Sequence, residues 1–268
     1  MVEICALASG SNGNCYYVGN EDEAVLIDVG ISRRQVLKRM KEVKLNINKV
    51  KAIFISHEHA DHIRGLRVLS DMNEIDAYLT KATFSKTRND NQPKRIGIFK
   101  AGDIITVGNI KVHSFAKKHD AIDPTSFRVE IDGVNVGVLT DLGTADTIVK
   151  QQVKQCHALF LESNYDERLL EEGPYPIYLK NRVKSDRGHL SNDQAVKLVD
   201  SLKDTPLETI LLSHISADNN QVEIAMKSFQ MVSDRYKIYP TSRYAATPIY
   251  TFEKALNENE QASQLKMF

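Results

Sequence analysis

Six apolar runs of strand length in this chain each end on, or just before, an ionisable residue. EAVLID (23–28) ends on Asp28, and KAIFIS (51–56) is followed directly by His57. NVGVLT (135–140) leads into Asp141 and ETILLS (208–213) into His214. Glu162 lies at the end of HALFLES (157–163), and His119 follows a hairpin strand ending near Phe115. One such residue is ordinarily a cap or a turn former. Six in the same relative place point to a site at gathered strand ends, where layered α/β folds build their chemistry.

The densest of these positions is Ser56-His57-Glu58-His59-Ala60-Asp61-His62. Three histidines and an aspartate at the exit of a buried strand would need many partners if they were core. Imidazole and carboxylate are ligands that zinc, manganese and iron all accept. Adjacent Asp61 and His62 point differently from His57 and His59, so one ion cannot easily use all four. Two divalent metal ions are the natural solution, with the remaining ligands drawn from other strand ends.

Basic and acidic residues balance at 35 each, which argues against bulk attraction to nucleic acid or an anionic membrane. A local basic patch is still allowed. Three cysteines (Cys5, Cys15, Cys156) form no CxxC pair, so neither a disulfide framework nor a thiolate zinc site is expected. MVEICALASG lacks the basic and apolar regions of a signal peptide, and no apolar run approaches membrane-spanning length. The expectation is a cytoplasmic protein without membrane contact.

Hairpins alternate with helical patterns, which predicts an α/β (α+β) layered fold with two sheets. Asp132-Gly133 marks a tight hairpin turn. Ser32 with Gln35, and Ser191 with Gln194, make capping boxes that open helices. A hairpin is expected at 104–115 and a long amphipathic helix at 218–235. One domain over 1–252 with a polar tail at 253–268 is the expected organisation. His113 and His157, within or before strands, read as structural.

The signature His-x-His-x-Asp-His, a later His, an Asp and a final His resembles the metallo-β-lactamase superfamily. That resemblance implies a four-layer αββα sandwich of two mixed sheets with helices on the outer faces. It places His57, His59 and His119 on one metal and Asp61, His62 and His214 on a second. Asp141 would bridge them, and Asp28 would orient ligand histidines. SGSNGNCYYV, HDAIDPTSFRV, ESNYD, GHLSN and LSHISADNN together resemble the YycJ (WalJ) group of bacterial proteins. That group implies DNA exonuclease activity, 5′-to-3′. The chain is also similar to tRNase Z, whose catalytic Glu and His would correspond to Glu162 and His189. No long inserted arm and no β-CASP insertion is found, which favours DNA over structured RNA. His59 stands where flavodiiron relatives carry Glu, which favours a hydrolase.

A metal pair can hold a hydroxide and stabilise attacking and leaving oxygens at phosphorus. In that reading Asp61 orients the nucleophile, and His189, held by Glu162, protonates the leaving oxygen. Lys180, Arg182, Lys184 and Arg187, opposed in sequence only by Asp186, are candidate phosphate contacts, with Tyr175 and Tyr178 as stacking partners. Lys117 and Lys118 would add to that field. The loop Ser9-Gly10-Ser11-Asn12-Gly13-Asn14 offers amides for an anion nest, with Ser9, Ser11 and Asn12 toward substrate. Rival readings are a hydrolase of a thioester, lactone or β-lactam, an RNA-processing nuclease, and a non-catalytic partner that keeps its metals for stability.

Overall fold

Near-continuous apolar runs let the central strands face two cores at once. In the computed structural model, which describes residues 1–253, the first half contains ten regular α and β elements. They run β1 (Val2–Ala8), β2 (Cys15–Gly19), β3 (Ala24–Ile27), α1 (Arg33–Glu42), β4 (Val50–Phe54) and α2 (Ala60–Ile63). There follow α3 (Leu66–Asn73), β5 (Asp76–Thr80), α4 (Lys81–Lys86) and β6 (Ile96–Phe99). The second half runs β7 (Ile104–Val107), β8 (Ile110–Ala116), β9 (Thr125–Ile131), β10 (Val134–Leu139), α5 (Thr147–Val153) and β11 (Ala158–Glu162). It ends with α6 (Glu167–Glu172), α7 (Ile177–Lys184), α8 (Asn192–Asp200), β12 (Thr209–Ser213), α9 (Val222–Ser228), β13 (Lys237–Pro240) and β14 (Tyr250–Phe252).

Two seven-stranded sheets result, ordered β14-β1-β2-β3-β4-β5-β6 and β13-β12-β11-β10-β9-β8-β7. Val2, Ile4 and Ala6 of β1 enter the core between the sheets, whereas Cys5 and Leu7 face α1 and α3. On β11, Ala158 and Phe160 face inward while Leu159 and Leu161 meet α5 and α8. Period-two patterning thus makes two faces per sheet, and the expected αββα sandwich follows. Tyr16 against Phe160, with ring centroids 4.9 Å apart, joins the sheets across the middle. Both capping boxes form, and the Asp132-Gly133 turn has positive φ at both residues.

The chain departs from expectation at 218–235. Asn219 and Asn220 are pinned in loop contacts, Asn220 Nδ2 donating to the carbonyls of Ser163 and Asn164. The α-helix therefore starts only at Val222, stops at Ser228, and continues as a 3-10 turn over Phe229–Val232. Local side-chain bonding to backbone competes with helix here, as Asn commonly does. The tail expected at 253–268 lies outside the described residues apart from its first position. No helix among the described residues is long and apolar enough to cross a membrane.

Strands β3 to β6 are mutually parallel, as are β10 to β13, so within each set the carboxyl ends point one way. Asp28, Asp141 and His214, just past β3, β10 and β12, adopt left-handed φ of 61°, 54° and 54°. That conformation is uncommon for any residue but Gly, least so for Asn and Asp, and costs free energy that the surroundings must offset. All three strained residues lie in one cluster.

Candidate metal centre

Three imidazole nitrogens converge on one point. His57 Nε2 lies 3.0 Å from His59 Nδ1, which lies 3.4 Å from His119 Nε2. Ions bound tetrahedrally at about 2.0–2.1 Å hold neighbouring nitrogens about 3.3 Å apart, so this spacing fits one cation. The opposite ring nitrogens are anchored: His57 Nδ1 by Ser56 Oγ at 2.9 Å and His119 Nδ1 by the Gly188 carbonyl at 3.1 Å.

A second set forms from Asp61, His62 and His214. His62 Nε2 is 3.5 Å from Asp61 Oδ2 and 3.0 Å from Asp141 Oδ2, and His214 Nε2 is 3.7 Å from Asp61 Oδ2. Asp141 reaches both sets, since its Oδ1 lies 3.8 Å from His119 Nε2. Asp28, fully buried, accepts from Ser56 N and Oγ at 2.8 Å each and from His62 Nδ1 at 2.7 Å. That bond holds the proton on Nδ1 and leaves Nε2 for a ligand role. Gly30 is required nearby, because a Cβ there would meet the Asp61 carbonyl oxygen at 1.6 Å.

Glu162 sits fully buried behind these groups. Its two oxygens accept from Leu142 N at 2.7 Å, Leu190 N at 3.2 Å, His189 Nδ1 at 2.8 Å and His214 Nδ1 at 3.0 Å. Four donors occupy the carboxylate's lone pairs, so it acts as an acceptor for the histidines and has nothing left for a cation. His189 is partly exposed, unlike Glu162.

Do these residues fit a metal? Two buried atoms argue that they do: Asp141 Oδ2 and His214 Nε2 have no hydrogen-bond partner although ligand-type atoms surround them. Leaving such atoms unpaired in a buried site is costly, and a cation would satisfy Asp141 Oδ2 and, once the ring gives up its proton, His214 Nε2. The electrostatics agree. Burial alone would lower the pKa of His214, but Asp141, Asp61 and Glu162 outweigh it and raise the imidazole to about 10. His62 is likewise raised against its burial by Asp141, Asp28 and Asp61. His57 and His119 go down, His119 to about 4, with desolvation as the main cause. Burial also works against the ionised form of Glu162, yet His189 and His214 hold it at about 2. Protonated imidazoles thus supply the positive charge that the carboxylates demand.

The segment 180–187 differs from its sequence reading. It is mostly helical (α7), and its cations have tertiary partners. Lys180 Nζ donates to the Glu171 carbonyl, Lys184 pairs with the Glu171 carboxylate, and Arg182 pairs with Asp120. Arg187 Nε reaches the His119 carbonyl at 3.3 Å. Opposition therefore comes from Glu171 and Asp120 as well as Asp186. Tyr175 Oη donates to Asp218, whereas Tyr178 is exposed. Lys117 is buried with Nζ on the Thr140 carbonyl, and only Lys118 of that pair is exposed.

The loop at 9–14 also differs. The amides of Ser9, Gly10, Gly13 and Asn14 bond to Ser242 O, Asn14 Oδ1, Gly10 O and Asp61 O, so they are not free for an anion. Ser9 is buried, its Oγ accepting from His214 N at 2.7 Å, while Ser11 and Asn12 are exposed. Three further residues, to whose side chains the sequence reading assigned no role, join the site. Ser56 links Asp28 to two histidines, Asn14 Nδ2 lies 3.3 Å from Asp61 Oδ2 and 3.1 Å from His62 Nε2, and Asp120 Oδ1 lies 3.2 Å from His119 Nε2. Only the adjacency of Ser56 and Asp120 to ligand histidines could have marked them. His113 and His157 are tied elsewhere, to Glu130 and to Asn135 N.

The chain belongs to the β-lactamase superfamily: residues 23–215 match the Beta-lactamase superfamily domain. With this ligand set it is a metal-dependent hydrolase. Within that class it is 37% identical over 235 residues to the exodeoxyribonuclease YycJ of Bacillus anthracis, covering 86% of this chain and 89% of that one. It is 32% identical over 256 residues to the exodeoxyribonuclease WalJ of Streptococcus pneumoniae serotype 2, covering 91% and 95%. Human tRNase Z, short form, shares the fold at a TM-score of 0.61 and 15% identity, over 93% of this chain and all of that one (100%).

Proposed function

We propose that this protein is a DNA exonuclease that hydrolyses phosphodiesters with two divalent metal ions. The observation that carries the reading is Asp141, whose two oxygens face two separate ligand sets. His57, His59 and His119 would hold one ion and Asp61, His62 and His214 the other, with Asp141 shared. When bound, such a pair supplies an activated water and neutralises charge on the phosphoryl oxygens. The names of the YycJ and WalJ relatives support DNA as substrate, and the group resemblance supports 5′-to-3′ polarity.

The protein's own groups then have separable tasks. Asp28 and the Gly188 carbonyl hold His62 and His119 in their ligand orientation. Asp61, with Asn14 Nδ2 against its Oδ2, would orient a water at the centre. Glu162 accepts from His189 Nδ1, and His189 in its doubly protonated form would give its Nε2 proton to the departing oxygen. Asp61→Ala is expected to abolish hydrolysis with the fold retained. His189→Ala is expected to slow it with metal content intact.

The test is metal-reconstituted protein incubated with single- and double-stranded DNA and RNA, labelled at either end, with chelator and Asp61→Ala controls. Release of mononucleotides from the 5′ end of DNA is expected. Absence of cleavage under zinc, manganese and iron, with turnover of a thioester instead, would overturn the assignment.

A further inference from the structure

A cavity of about 340 Å³ opens beside the final metal-ligand candidate, His214, and no role has yet been given to it. Ser9, whose hydroxyl accepts from His214 N, forms part of its wall, as do Ile215 and Ser216, the next residues along the chain. Arg243 and Tyr244 form another part.

The backbone of that second wall is held by an unusual device. Arg39 of α1, only 7% exposed, donates to the carbonyls of Leu7, Arg243 and Tyr244 at 2.8, 3.0 and 3.0 Å. Burying a guanidinium is costly unless its donors are used, and here three carbonyls use them. Arg243 in turn donates to the Ile215 carbonyl at 2.6 Å and packs over Gly10, where an added Cβ would lie 3.3 Å from the arginine Cβ. A rigid backbone thus presents the Tyr244 ring 80% exposed at the cavity edge. An aromatic ring so presented, without apolar cover, is what base stacking uses.

The polar lining suits a sugar-phosphate. The hydroxyl oxygens of Ser216 and Ser242 each accept from two backbone amides, which leaves their O–H groups to donate to a ligand oxygen. Arg243 is the one cation of the lining and Glu223 the one carboxylate. The seat therefore has no net pull on a polyanion and must select by stacking and hydrogen bonding, in keeping with a chain of zero net charge.

We infer that this cavity seats a nucleotide of the substrate strand next to the metal centre. Tyr244 stacks on its base, and Ser216, Ser242 and Arg243 bind its sugar-phosphate oxygens. The inference rests on the nuclease reading above.

The chain contains no tryptophan, so Tyr244→Trp installs a single reporter. Titration with a short single-stranded DNA oligonucleotide in chelator should quench its fluorescence saturably, whereas Tyr178→Trp on α7, the rival stacking candidate from the sequence, should stay unquenched. Loss of one base stack raises KM for an oligonucleotide about 5- to 150-fold, which is the change expected of Tyr244→Ala. Tyr244→Phe, which keeps the ring, should restore KM. A silent Tyr244→Trp under saturating DNA, quenching at Tyr178→Trp alone, or an unchanged KM in Tyr244→Ala overturns the seat while wild-type cleavage leaves the nuclease reading standing. A metal-loaded wild type that neither binds nor cleaves DNA overturns both.

Discussion

Replacing Glu162 by Gln would remove one charge and almost no volume, yet its consequences should reach both the metals and the proton donor. All four hydrogen bonds to this carboxylate come from donors, two backbone amides on Oε2 and two imidazole Nδ1 groups on Oε1. A carboxamide has only one acceptor oxygen. The amides of Leu142 and Leu190 cannot change character, so the Gln oxygen turns to them and its NH₂ faces the imidazoles. Both histidines must then accept at Nδ1 and carry their proton on Nε2. His214 loses the nitrogen that faces the second ligand set.

Hydrogen bonds to charged groups are worth about 1.5–3 kcal/mol each, so weakening two of them in a buried site costs about 3–5 kcal/mol. At about 2–4 °C per kcal/mol for a large domain, Tm of Glu162→Gln should fall by roughly 6–20 °C. Disturbing a group that orients a ligand typically costs about 10–100-fold in metal affinity, and loss of a general acid about 10²–10⁴-fold in rate. Because Glu162 is held at about 2, below its usual 4.5, the wild-type advantage should be complete above pH 4.5 and shrink as pH falls toward 2. Calorimetric melting, metal content after dialysis and single-turnover kinetics read the three effects separately. A variant with full metal content and wild-type kcat would refute the assigned hydrogen-bond directions.

Three other outcomes follow from the geometry. Metal binding should release protons at neutral pH, since His62 and His214 (raised to about 10) must deprotonate to ligate, and affinity should weaken as pH falls; titration calorimetry in two buffers of different ionisation enthalpy should show it, and identical apparent enthalpies would refute it. Lys180→Ala and Lys184→Ala should change the salt dependence of single-stranded DNA binding by much less than the ~0.7 slope units of a phosphate contact, because both amines already serve Glu171; a full loss for each would show that they leave Glu171 for DNA. The thiols of Cys5, Cys15 and Cys156 are buried and pushed up by desolvation, Cys5 to about 11 and Cys156 to about 12; all three should react with Ellman's reagent only on unfolding, and rapid native labelling would contradict this packing.

Much of the site was legible because a metal ligand set is chemically conspicuous. Imidazoles and carboxylates directly after apolar strands have few other uses, and parallel strands carry their ends to one edge. The near-continuous apolar runs KAIFIS and HALFLES likewise marked buried strands. The α7 cations read less well: their partners Glu171 and Asp120 come from other segments, and sequence neighbours reveal only Asp186. The loop at 9–14 has a turn composition in either case, and the amides of Ser9, Gly10, Gly13 and Asn14 are spent on Ser242, Asp61 and the loop itself.

The sequence by itself determined a layered α/β fold with two sheets and marked the ionisable residues at its strand ends, because strand patterning and ligand chemistry are local properties. Tertiary structure alone decided what each polar group is bonded to. The left-handed turns at Asp28, Asp141 and His214, the four donors on Glu162, and the Arg39 clamp that presents Tyr244 all join residues distant in the chain. Hydrogen-bond direction and charge pairing act over a few ångströms in space, and no local pattern encodes which segments fold to within that reach.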